Sequence, residues 1–68
     1  MKYKAICVSN NGKRIEVIIP NGMTDRQAKF ETNKICKTWA ISINLYKHNK
    51  KAVRFVGSWH KDTKVWGV

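Results

Sequence analysis

Sixty-eight residues with 43% apolar content predict a single domain spanning 1–68 that buries only about 60% of the surface its unfolded chain exposes, with little interior left for an enclosed substrate pocket. Fourteen Lys and Arg against four acids (Glu16, Asp25, Glu31 and Asp62) give a net charge of +10, which opposes compaction and attracts polyanions: nucleic acid (DNA or RNA), an acidic protein or an anionic membrane surface. No apolar run approaches the ~18 residues of a membrane span and the amino terminus has no signal-peptide core, so the expectation is a cytoplasmic protein in which Cys7 and Cys36 are reduced thiols, with one bridge left open for an oxidising compartment.

The first element is a β-hairpin over Tyr3–Ile19. Asn11-Gly12 is the favoured pair for a two-residue turn with positive φ at both positions. That turn sets Val8 opposite Ile15, Ile6 opposite Val17 and Lys4 opposite Ile19. Because opposed residues share a face, Ile6, Val8, Ile15, Val17 and Ile19 are the expected core side. Pro20-Asn21-Gly22 ends the hairpin. A helix start follows, with Thr24 as N-cap, Gln27 completing a capping box, and Met23 and Ala28 spaced for a hydrophobic staple. Asp25 suits the positive end of the helix dipole. At about 100° per residue, Ala28, Thr32, Ile35 and Trp39 fall on one stripe, with Cys36 and Ala40 beside it. The predicted helix runs from Asp25 to Trp39.

Ile41–Tyr46 alternates strictly and predicts a strand with Ile41, Ile43 and Leu45 inward. A Lys- and His-rich loop around His48-Asn49-Lys50 leads into a second strand over Ala52–Trp59. A three-residue loop there pairs Leu45 with Val53 and Ile43 with Phe55. Lys61-Asp62 marks another turn, before a short fifth strand over Thr63–Val68. The order β-β-α-β-β, with one more strand, is a two-layer α+β sandwich: an antiparallel sheet with one helix on one face.

Catalytic and metal chemistry have little to stand on. The four acids are scattered, with no pair at a spacing suited to general acid–base work. His60-Lys61-Asp62 reads as a polar hairpin tip, since adjacent residues point in different directions. His48 and His60 leave a ribonuclease as a trailing third reading. Cys7, Cys36, His48 and His60 lack the close C-x₂₋₄-C or H-x₃₋₅-H pair of a structural zinc site. Gly12, Gly22, Gly57 and Gly67 stand too far apart for a phosphate loop. No enzyme, cofactor or metal is expected.

Two surfaces carry the functional expectation. The outer helix face presents Arg26, Lys29, Phe30, Asn33, Lys34 and Lys37, cations for phosphate and a ring for base or sugar contact. An outward Phe30 and a rotated helix that packs Phe30 under a loop or the carboxy-terminal segment are both open at this stage. Lys50 and Lys51, in the loop between the third and fourth strands, are placed to straddle phosphates, although a charged tip also keeps an exposed hairpin from pairing. The sheet face away from the helix is expected to show Tyr3, Ala5, Cys7, Ile18, Tyr46, Arg54, Val56 and Trp66. It is apolar enough to predict a homodimer or partner interface at Tyr3, Ile18, Tyr46, Arg54 and Val56, in preference to a stacking platform for single strands made by its aromatics with Arg54 and Lys64. The leading expectation is a small nucleic-acid-binding accessory or regulatory protein. The alternative is a protein-interaction module, such as a phage or mobile-element inhibitor of a host complex, with which the Lys-, Asn- and Ile-rich composition is compatible. No helix has the bulky apolar face that membrane-surface binding needs.

Overall fold

Alternating apolar residues and one capped helical segment assemble as an α+β fold, a five-stranded antiparallel sheet with a single helix. The computed structural model describes residues 2–19, 24–36 and 38–67. In chain order the elements are β1 (Lys2–Ser9), β2 (Arg14–Ile19), α1 (Asp25–Cys36), β3 (Ala40–His48), β4 (Val53–His60) and β5 (Trp66–Gly67). The spatial order is β2-β1-β3-β4-β5. β1 is thus interior, flanked by β2 and β3, and α1 spans the connection between those two strands.

The helix start forms as its sequence dictates. Thr24 N donates to Gln27 Oε1 at 3.0 Å and Gln27 N donates to Thr24 Oγ1 at 3.2 Å, the reciprocal pair of a capping box. The proposed staple at Met23 and the Pro20-Asn21-Gly22 turn lie outside the described residues. The helix stops at Cys36, short of the predicted Trp39. Trp39 turns back instead, its backbone N donating to Cys36 O at 3.1 Å and its indole Nε1 to Ile35 O at 3.0 Å. The buried stripe is Ala28, Thr32 and Cys36. Ile35, expected on that stripe, is 48% exposed. Thr32 enters the core because its hydroxyl donates to Ala28 O at 2.6 Å, which satisfies a buried polar group.

The first hairpin is correct as an element but its register is one residue off. Val8 faces Arg14, Cys7 faces Ile15, Ala5 faces Val17 and Tyr3 faces Ile19. Gly12 takes positive φ (83°) while Asn11 does not. Gly12 N donates to Ser9 O at 2.9 Å and Ser9 N to Lys13 O at 2.9 Å. These bonds describe a three-residue loop ending in a left-handed glycine. Asn11 Oδ1 secures it by accepting from Lys13 N at 3.2 Å and from the Ser9 hydroxyl. A one-residue slip moves every side chain to the other face. Here β1 turns over while β2 keeps its expected face: Tyr3, Ala5 and Cys7 are buried and Ile6 and Val8 face outward, whereas Ile19 is in the core as expected, Val17 packs against it, and Ile15, at the loop end of the same face, is 42% exposed.

The second hairpin is also shifted. His48 pairs with Val53, Lys47 with Arg54 and Tyr46 with Phe55, before a bulge resumes pairing at Leu45 and Gly57. The loop is four residues long because Asn49 organises it. Its Oδ1 accepts from Lys51 N at 3.0 Å and from Ala52 N at 2.9 Å, a side-chain mimic of a backbone turn. Ile43 and Leu45 point inward as expected, with Ile41 half-buried where β3 bulges against β1. The fifth strand is shorter than predicted. It pairs Trp66 with Trp59 and Gly67 with Ser58, with Val68 outside the described residues. The core of Tyr3, Ala5, Cys7, Ile19, Ala28, Cys36, Ala40, Ile43, Leu45, Val56 and Trp59 lies under the helix. No helix among the described residues is long and apolar enough to cross a membrane.

Candidate nucleic-acid interface

With Ala28, Thr32 and Cys36 turned to the sheet, the helix presents its opposite side to solvent. Arg26 and Lys34 are exposed, Lys29 and Asn33 are half-buried, and Phe30 is 65% exposed. The two orientations left open for Phe30 are thereby decided: the ring points outward. Lys34 Nζ sits 5.9 Å from the Phe30 ring centroid, and Lys29 Nζ sits 5.9 Å from that of Trp66. The Lys29 stem also runs over Gly57, its Cε 3.4 Å from where a Cβ there would stand. Lys37 lies outside the described residues.

Two shallow clefts adjoin this face and share Asn33. One, of about 390 Å³, is lined by Phe30, Asn33, Lys34 and Thr38. The other, of about 270 Å³, is lined by Asn33, Trp59, Lys61 and Lys64. Asn33 Oδ1 is buried and has no hydrogen-bond partner among the described residues. Lys64 sits in the left-handed region at φ 59°, where its backbone N donates to His60 O at 2.8 Å. A residue with a Cβ costs energy in that conformation. Lys61 was not expected at the site and Lys64 was weighed only with the outer sheet face, because the turn containing them meets the helix only through the packing of β4 and β5.

The acids leave the face strongly positive. Glu31 lies 3.8 Å from Lys34, Asp25 lies 2.9 Å from Arg54, Glu16 lies 3.5 Å from Lys4 and Asp62 lies 3.6 Å from His60. Arg26 and Lys29 have no acid within ion-pair distance among the described residues. Asp25 also accepts from the Tyr3 hydroxyl at 2.7 Å. That bond first, and Arg54 second, hold its carboxyl below the usual range. Lys50 and Lys51 are exposed at the tip of the β3–β4 hairpin. Through Arg54 and Asp25 this tip belongs with the amino-terminal end of α1, whereas Lys61 and Lys64 line a cleft with Asn33 in its carboxy-terminal half.

The outer sheet face differs from expectation in composition. Tyr3 (2% exposed) and Val56 (5%) are core residues, and Arg54 reaches the helix side to meet Asp25. The first-hairpin slip inverts the face of Tyr3, Ala5 and Cys7, and the β4 bulge takes Val56 into the core. Trp66 is half-buried against that core as well. Ile18 and Tyr46 do lie on the outer face. They stand in one cross-strand row with Lys4 and Phe55, Tyr46 and Phe55 meeting edge to face at 5.5 Å. Among the described residues no three His, Cys, Asp or Glu side chains converge as metal ligands. Comparison with protein-family models, with curated proteins and with solved structures returned no match to this chain.

Proposed function

We propose that the chain is a small accessory or regulatory protein that binds nucleic acid, DNA or RNA, through the outer face of α1. The observation that carries this reading is Phe30. A large ring 65% exposed among Arg26, Lys29 and Lys34 is costly on a plain solvated face, and it suits a base-stacking contact flanked by phosphate contacts. Affinity would come from Lys and Arg displacing condensed counterions, and Phe30 with Asn33 would supply any preference.

Fluorescence anisotropy with labelled duplex and single strands tests the reading. The log–log salt slope should be about −0.9 per duplex phosphate contacted. Four contacts then lower affinity roughly 150-fold between about 50 and 200 mM salt. Arg26→Glu with Lys34→Glu should weaken binding to every sequence. Phe30→Ala should cost single strands about 1–3 kcal/mol and duplex less. A matched reversal at Lys50 and Lys51 is the control, and equal losses in the two double variants would show binding by diffuse charge. Absence of binding to either form at low salt would overturn the reading.

A second reading rests on the sheet face opposite the helix, where Ile18 (56%), Val53 (58%) and Phe55 (41%) are exposed. There the chain would be a protein-interaction module, of the kind a phage or mobile element directs at a host complex. An acidic partner suits Lys4 and the net charge of +10, which sets two copies against each other. Sedimentation as a monomer at high concentration would exclude the homodimer.

A further inference from the structure

Cys7 and Cys36 are both fully buried, and their sulfurs stand 3.0 Å apart although the residues are 29 positions apart in sequence. The meeting follows from the fold. Cys7 belongs to the inward set Tyr3, Ala5 and Cys7 of the interior strand β1, and Cys36 ends the helical stripe Ala28, Thr32 and Cys36. Small side chains on both surfaces let the helix approach the sheet closely. The remaining gap to the roughly 2.05 Å of a disulfide bond is about 1 Å.

We propose that Cys7 and Cys36 form a covalent modification site, joined as one intramolecular disulfide by exchange with a small disulfide such as oxidised glutathione. The Cys36 thiolate attacks one glutathione sulfur, and the first glutathione departs as its thiolate and takes up the proton Cys36 has lost. The Cys7 thiolate then attacks Cys36 Sγ, and the second glutathione departs and is protonated in the same way. Two protein thiols lose two protons and two electrons, and one oxidised glutathione becomes two glutathione thiols. Burial pushes both thiols above their ordinary range, and the hydrogen bond from Cys7 offsets part of this at Cys36. Position makes Cys36 the first to meet the oxidant. It occupies the last turn of α1, where helices fray first, so local opening there admits the oxidant. The product clamps the helix end to the sheet.

The test is equilibration of the intact protein in buffers of graded reduced-to-oxidised glutathione, followed by acid quench, alkylation and intact mass. The expected product is a monomer lighter by about 2 Da in which both cysteines resist alkylation. Folding holds the two sulfurs together, so the midpoint should need at least roughly 100-fold less oxidant than the same chain in urea, in line with the closure entropy of a loop this long. Cys7→Ser and Cys36→Ser should each stop at a glutathione adduct or a cross-linked pair. Adducts or intermolecular dimers from the wild type, or a midpoint unchanged by urea, would overturn the assignment. The wild-type measurement decides alone if either variant fails to fold.

Discussion

Replacing Asp25 would take a shared anchor from three elements at once. Its carboxylate accepts from the Tyr3 hydroxyl of β1 at 2.7 Å and from Arg54 Nη2 of β4 at 2.9 and 3.1 Å, while Asp25 itself opens α1. In Asp25→Ala, taking this acceptor from a Tyr 2% exposed costs about 1–3 kcal/mol. The ion pair adds about 0.2–1 kcal/mol, since the Arg54 side chain is 57% exposed. Loss of a negative charge at the helix start adds about 0.3–1 kcal/mol. The expected total is about 3 kcal/mol, against roughly 3–10 kcal/mol for a domain of this size. Asp25→Asn keeps an acceptor for Tyr3 and should cost only about 1 kcal/mol. Urea unfolding followed by tryptophan fluorescence measures both variants, and a cycle with Tyr3→Phe isolates the hydroxyl contact. Acid adds a second readout. Because the folded pKa of Asp25 is depressed, its stabilisation is intact above the unfolded value near 4 and drains as pH falls through the lower folded value. Asp25→Asn should lack that acid limb. Burial and then the Asp25 bond push Tyr3 up to about 12, so stabilisation by the neutral phenol is full below about 10 and is lost as pH rises through about 12. Equal costs for Asp25→Ala and Asp25→Asn, or an Ala variant within about 0.5 kcal/mol of wild type, would refute this account of the anchor.

Thr24→Ala removes the cap acceptor of Gln27 N and should cost about 0.5–2 kcal/mol, visible in a thermal melt as a fall of several degrees that Thr24→Ser largely avoids. Lys64→Gly relieves a left-handed backbone and should raise stability by up to about 1 kcal/mol, while weakening any anion bound in the cleft with Lys61; a urea midpoint lower than wild type would count against the strain. Gly57→Ala places a Cβ 2.8 Å from the Gly67 carbonyl oxygen and should cost about 1–3 kcal/mol. Its signature is faster amide exchange at the β4–β5 pairing, and unchanged protection there would show that the two strands give way without separating.

The capping box, the helix and the strand order along the chain were legible because each depends on neighbours in sequence. The faces of the sheet were less so. β1 is apolar on both sides, with Tyr3, Ala5 and Cys7 on one and Ile6 and Val8 on the other, so alternation alone favours neither. The choice depends on volume. A helix stripe of Ala28, Thr32 and Cys36 suits small inward side chains such as Ala5 and Cys7, Cys36 meeting Cys7 directly, and the loop built on Gly12 provides the register that puts them inward. The Asn11-Gly12 pair did announce a turn, but only the glycine takes the positive φ, which adds one residue to the loop. The β4 bulge that carries Val56 into the core has no local signature, since Phe55, Val56 and Gly57 read equally well as plain strand. The helix-face cations and outward Phe30 could be read from helical spacing, whereas the cleft that joins Asn33 to Trp59, Lys61 and Lys64 draws on segments more than twenty positions apart and is set only by tertiary packing.

The position of β1 inside the sheet also dictates an order of events during synthesis. β1 and β2 leave the ribosome together and can pair at once, but the other edge of β1 has no mate until Ala40–His48 follows, beginning thirty-one positions after Ser9. Over that interval the hairpin displays a row of open amides and carbonyls together with Tyr3, Cys7 and Ile19, the exposure that leads partly made chains to stick to one another. Eight of the first thirty-seven residues are Lys or Arg and only three are acids, so neighbouring nascent chains repel during the same interval. Part of the positive charge thus has a use before the fold exists, and variants that neutralise Lys2, Lys4, Lys13 or Arg14 should lose yield during expression before they lose stability once folded.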